Sequence, residues 1–358
     1  MASSVRSKTR IGVLANRLIA SGLVFTAMWV LWAGYRGFHT LGDLRSYKDM
    51  YDNWGGYLRD QGRDPLFVWL IQGASLGLGP RGFDTFRLIL FALWSVAASY
   101  VAWISRASAP VTAVIVICCV MIKGAEQLRE GLAFLLISLA VINLYSGRHP
   151  RPRLTGLVSG LAALIHWGAV AFSLNWLAAA LATELPNRPR AWRRLPRLLL
   201  FVGVLFGLIC AVTVSLNGEA LQDLSTRYSG MGAVVTEGRS LKYLYWALLG
   251  GAVFLISKQV TGASHGASKF AYAYALVLGR FLMPLSYVTC ATLVFINFPF
   301  GAVLELFTRG MSSIIELALF IILVRGRATI WTAVAAAAMF ANQLRSIIPD
   351  LVPFFAPA

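Results

Sequence analysis

The chain has 358 residues, 58% of them hydrophobic and only 13% charged, with a mean hydropathy of +0.68. Soluble domains carry about twice that charged fraction, so a water-soluble globular protein is excluded and an all-α, polytopic membrane protein is expected. The net charge of +17 comes from Arg and Lys spread over short loops between apolar runs. That pattern reads as membrane orientation and anion handling, with no nucleic-acid-binding module beside it.

Residues 1–17 form a basic lead with Arg6, Lys8, Arg10 and Arg17, and the first apolar span, 18–35, closes on the aromatic belt of Trp29, Trp32 and Tyr35. No A-x-A-like cleavage site follows, which argues against a signal peptide. Clustered positive charge marks the cytoplasmic side, so residues 36–65 are expected outside. Within that loop Leu44, Tyr47, Tyr51, Trp54 and Leu58 recur at spacings of three and four. They make one apolar face of a helix suited to the membrane surface, which reads equally as interfacial packing or as sugar contact. Asp64-Pro65 then opens a short run, 66–78, that is either re-entrant or a short span.

Further apolar spans follow at 84–104, 109–123 and 130–146, and later at 198–216, 241–257, 270–297, 300–324 and 328–344. Between them lies the stretch 153–184, long enough for one crossing but flanked by Arg148, Arg151 and Arg153 on one side and Arg188, Arg190, Arg193, Arg194 and Arg197 on the other. A single crossing would put one cluster on the wrong face. Two short helices meeting at His166-Trp167-Gly168 satisfy both clusters, and place an imidazole at the tip of a broken hairpin. With 66–78 not crossing, every strongly basic loop falls inside. The expectation is one transmembrane domain over 1–358, with about ten to eleven transmembrane or re-entrant helices and an amphipathic external helix.

The four cysteines, Cys118, Cys119, Cys210 and Cys290, lie within apolar segments, and neither they nor His39, His149, His166 and His265 show metal-ligand spacing. No metal or other cofactor is expected. No Gly-rich phosphate loop occurs, so ATP hydrolysis is not expected either.

The charges left at membrane depth or on the outer face are more telling, because an intramembrane ionisable group costs about 2.5 kcal/mol or more and usually faces a cavity or a partner. Glu126, Arg129 and Glu130 sit at an external turn, and Arg227 and Tyr228 lie in the external segment after Asp223. Arg280 lies deep in an apolar span with Pro284 one turn later, where a buried anion is its expected partner. Glu305 and Arg309 read as a structural i, i+4 pair. Guanidinium groups bind phosphate oxygens in a bidentate fork at any relevant pH, and can stabilise a diphosphate as it leaves a glycosidic carbon. A histidine can take the proton of an incoming sugar hydroxyl or hydrogen-bond the diphosphate.

The chain also resembles a known family. Tyr35-Arg36, Asp43, Tyr47, Tyr51 and Asp64-Pro65-Leu66-Phe67 look like the amino-terminal pattern of EpsG-type proteins. Leu128-Arg129-Glu130-Gly131-Leu132-Ala133 resembles their helix start, and Ile165-His166-Trp167-Gly168-Ala169-Val170 their histidine element after a basic loop. The resemblance covers the first half well, and in the second half only Arg227-Tyr228 and Arg280 correspond. Asp64 stands where Glu is more usual and Gly168 where Ser is common.

The family is similar to Wzy-type polymerases of exopolysaccharide, capsule and O-antigen. The resemblance implies a bacterial inner-membrane glycosyltransferase that joins undecaprenyl-diphosphate-linked repeat units at the periplasmic face. It implies His166, Arg129 and Arg280 as catalytic residues, and Arg36, Asp43, Tyr47, Tyr51, Glu126, Arg227 and Tyr228 as substrate contacts. The lipid-linked donor and acceptor glycans are the implied partners, with a chain-length regulator and a flippase beside them. An O-antigen ligase or another lipid-linked-sugar glycosyltransferase would share the Arg-rich cavity, but ligases carry a large periplasmic loop. A flippase or transporter is the alternative from another class, weakened by the lack of a matching second broken hairpin.

Overall fold

The computed structural model describes residues 2–35, 42–53, 64–125, 127–146, 150–184, 239–295 and 301–338, and every regular element among them is helical. Among these residues, four helical stretches are long and apolar enough to cross a membrane: Ile11–Val30, Phe83–Ile104, Leu128–Ser146 and Lys269–Val294. The chain divides into two compact units, residues 1–176 with 319–358, and residues 177–318.

In the first unit, α1 (Ala2–Tyr35) lies antiparallel to α4 (Phe83–Ile104). Their register is fixed by Ser21 Oγ donating to Ser99 O at 3.2 Å, and by Trp32 stacked on Phe91 at 4.6 Å. Asn16 closes the far end, where its amide donates to Ala107 O at 3.0 Å and accepts from Ala109 N at 2.8 Å. It thereby ties α1 to the turn before α5 (Ala109–Ala125). α5 returns beside α1 and α4, and α6 (Leu128–Ser146) runs back again.

The other helices of this unit are short. α2 (Gly42–Asp52) packs on α3 (Pro65–Leu78), whose 14 residues reach about 21 Å, short of a hydrocarbon core of about 30 Å. Proline at the first position of α3 costs no hydrogen bond, and Gly79 at φ +73 stops it where a side chain would be strained. The described part of the apolar face of α2 is buried against protein, which is the packing role of the two expected of it. Leu44, Tyr47, Met50 and Tyr51 are all buried, and Tyr47 and Tyr51 pack edge-on against Phe67 and Phe83. Trp54 and Leu58 fall outside the described residues.

The broken hairpin forms over α7 (Pro152–Ile165), a single 3-10 turn (Trp167–Ala169) and α8 (Val170–Glu184). Trp176 Nε1 donates to Pro152 O at 2.7 Å and Ser173 Oγ to Ser159 O at 3.0 Å, so the two arms run antiparallel. Gly156 makes room for the Trp176 ring. The buried side of α7 carries Thr155, Ser159 and Ala162, small residues that let helix backbones approach closely, and α7 packs closely on α6. Its other side exposes Leu157, Leu161 and Leu164.

In the second unit, α9 (Arg239–Ala263) packs against a long interrupted helix made of α10 (Lys269–Val277), a π-helical turn (Leu278–Leu282) and α11 (Met283–Phe295). Pro284 has no N–H for the carbonyl one turn back, and the π turn absorbs the mismatch, with Met283 N–H bonding to Leu278 O. Gly279 in that turn abuts Val260 and Thr261, and Ser257 Oγ donates to its carbonyl. α12 (Gly301–Arg325) follows; from Leu319 onward it belongs to the first unit, as do residues 330–338, which are helical again.

Candidate functional site

Several helix ends meet at one level of the first unit. Trp94, halfway along α4, marks that level: its indole lies against Gly131, and with Leu90 it lines the niche around Lys123. Eleven residues separate Trp94 from Phe83 (94 − 83), which places the level about 16 Å along a helix of spanning length. The N-terminus of α3, the C-terminus of α5, the N-terminus of α6 and the break between α7 and α8 all supply residues here.

Two ion pairs occupy the junction. Arg129, in the first turn of α6, holds Asp64 with Nη1 2.7 Å from Oδ2. Lys123, in the last turn of α5, lies 3.4 Å from Glu130. Each cation also faces an aromatic ring, Arg129 over Tyr47 at 5.9 Å and Lys123 over Phe134 at 4.4 Å. Gly131 permits this crossing, because a side chain there would collide with the Lys123 carbonyl.

Burial separates the two pairs. Lys123 and Glu130 are 3% and 12% exposed, whereas Asp64 is 2% and Arg129 31% exposed. Arg129 is therefore the partly exposed member of its pair and holds a buried carboxylate. Asp64 precedes Pro65 in a left-handed conformation (φ 54, ψ 50), the only positive-φ residue other than glycine among those described.

His166 ends α7, its N–H bonded to Ala162 O and its carbonyl accepting from Ala169 N, each at 2.9 Å. α7 packs on α3 and the turn after it on α6, which brings the His166 ring within electrostatic range of Glu130, Arg129, Asp64 and Lys123. Nδ1 is buried with no protein partner among the described residues, and Nε2 faces Gly168, where a Cβ would sit only 2.8 Å away. The junction thus combines two cations, two carboxylates and one imidazole, able to hold a phosphate oxyanion and to exchange a proton beside it.

Of the residues singled out from sequence, His166, Arg129, Tyr47 and Glu130 meet here. Tyr51 is buried away from it, its hydroxyl donating to Gly79 O at 2.8 Å and Ala74 O at 3.2 Å, which makes it a pin for the turn after α3. Arg280 belongs to the second unit and is exposed on the π turn, where a buried position beside an anion was expected. Arg36, Glu126, Arg227 and Tyr228 lie outside the described residues, and Asp43 is described only as part of α2.

Three groups escaped the sequence reading. In the sequence Lys123 marks only the end of the span 109–123, although a lysine seven residues before Glu130 in apolar surroundings is a signal. Arg87 is 1% exposed, 3.5 Å from Asp84 and 5.3 Å from the centre of the Trp32 ring; the Asp84-x-x-Arg87 spacing at a helix start could have shown it. Glu316, buried in α12, accepts from Ser312 Oγ at 2.6 Å.

No family model matches the chain, and no curated protein or solved structure is found similar to it.

Proposed function

We propose that this protein is a membrane glycosyltransferase of the polysaccharide-polymerase type. It transfers a growing glycan from a polyprenyl-diphosphate carrier to the next lipid-linked repeat unit, at the periplasmic face of a bacterial inner membrane. The observation that carries the reading is the meeting of Arg129 and His166 at the broken hairpin, beside Asp64, Lys123 and Glu130. A partly exposed arginine suits a diphosphate leaving group, and an imidazole with a buried, unengaged Nδ1 suits the acceptor hydroxyl. In the transfer the acceptor oxygen bonds to the anomeric carbon and the carbon–oxygen bond to the diphosphate breaks. The hydroxyl proton passes to His166 and the diphosphate keeps the bonding electron pair, neutralised by Arg129.

Half-helices meeting at mid-depth are also a transporter feature, and this favours a flippase as the second reading. Glycan analysis of a deletion strain separates the two. Loss of long polymer with single units still on the outward-facing carrier marks a polymerase. Units trapped on the cytoplasmic leaflet mark a flippase, and polymer accumulating on the carrier marks a ligase. Within the polymerase reading, Arg129→Lys keeps the charge but loses the fork, and is expected to shorten the polymer severely at normal protein level.

A further inference from the structure

We propose that Asp64 is an internal stand-in for a phosphate: its carboxylate occupies the flank of Arg129 that an incoming phosphate oxyanion takes, and yields it when the ligand binds. This rests on the reading of the junction as a diphosphate site and extends it to how the empty site is kept neutral.

A residue before the first turn of a helix ordinarily turns its side chain onto the helix N–H groups. Asp64 stands at that position of α3 and makes no such bond; its carboxylate goes to Arg129 instead, at 2.7 Å. It does so from a left-handed backbone, φ 54 and ψ 50, which aspartate tolerates more readily than most residues but does not prefer. Strain of this kind persists where the surroundings hold it in place, and it gathers at ligand clamps and switches.

The pair is also lopsided, with Asp64 2% and Arg129 31% exposed. An anion approaching the pair reaches Arg129 before the buried carboxylate. A diphosphate and a carboxylate on one guanidinium repel each other, so one must leave. The carboxylate is not tied to the first turn of α3, whose Phe67 and Val68 N–H groups bond to the Asp64 carbonyl, so its release from Arg129 leaves the helix start intact. Lys123 and Glu130, both nearly buried, offer no comparable opening and remain closed.

The test uses the full chain, purified into lipid nanodiscs and titrated by calorimetry with inorganic pyrophosphate, or with polyprenyl diphosphate presented in the disc. Asp64→Asn removes the competing charge, Asp64→Gly removes it while relieving the positive φ, and melting temperatures confirm which variants are folded. Both variants are expected to bind about ten- to a hundredfold more tightly than the native chain, the range for releasing one charged hydrogen-bonded partner. Arg129→Gln abolishes binding in either background. Tightening towards both probes shows that the phosphate oxyanion alone is recognised, and tightening towards the lipid alone shows that the carrier is required. Affinity that is unchanged, weakened or undetectable for both probes in folded Asp64 variants overturns the proposal. Polymer length in the deletion strain is a separate readout: full-length polymer there would sink the polymerase reading while leaving the binding comparison intact.

Discussion

At the scale of single residues, the position of His166 is set from two sides, by the end of α7 behind it and by Gly168 in front. A packing histidine tolerates Gln, which keeps shape and one hydrogen bond, whereas a general base does not, because an amide takes no proton at neutral pH. His166→Gln is therefore expected to lower polymer formation by about 10²–10⁴-fold with protein level and lipid-linked donor intact; near-normal polymer would remove the base role. Gly168 gives a gentler probe of the same ring. A Cβ at 2.8 Å from Nε2 is closer than real contacts allow, and the imidazole is the part that can yield. Gly168→Ala should thus displace His166 and reduce activity at least about tenfold, while the melting temperature moves by only about 2–4 °C. Equal activity in native and Gly168→Ala protein would mean that the ring's position does not matter.

At the scale of elements, the hairpin stands on the fit of Trp176 over Gly156, and two glycines one turn apart separate packing from propensity. A side chain at 156 meets the indole within 2.4–2.9 Å, while a Cβ at 160 meets nothing within 4 Å. Gly156→Val is expected to cost about 1–3 kcal/mol through overpacking. Gly160→Ala is expected to gain about 0.5–1 kcal/mol, as glycine is a poor helix former. Thermal melts of the two variants should move in opposite directions. The break itself was legible in the sequence because charge and length conflict across 153–184: arginines at both ends cannot flank one crossing. The burial of α2 was not legible. Its stripe of Leu44, Tyr47 and Tyr51 is equally apolar against lipid and against another helix, and only the presence of α3 decides. Nor could the sequence pair Asp64 with Arg129, since two charges far apart in the chain carry no mutual signal until α3 and α6 end at one level.

At the scale of the whole molecule, the open question is which short helices reach which side of the membrane, and the chain's own dimensions constrain the answer. α4 has 22 residues, about 33 Å, enough to cross; α7 has 14, about 21 Å, and stops about 9 Å short of a 30 Å core. If the basic residues at 148–153 remain at the cytoplasmic surface, the His166 tip lies inside the outer half of the bilayer and is reached by water through the site. Cysteine labelling in a background lacking Cys118, Cys119, Cys210 and Cys290 tests this directly. Trp167→Cys is expected to react with a membrane-impermeant reagent added outside, whereas Pro150→Cys and Arg190→Cys react only after the membrane is opened. Labelling at 150 or 190 from outside would mean that 153–184 crosses once. Arg129 and His166 would then need a different route to an external diphosphate, and the polymerase reading would lose its geometry along with the hairpin.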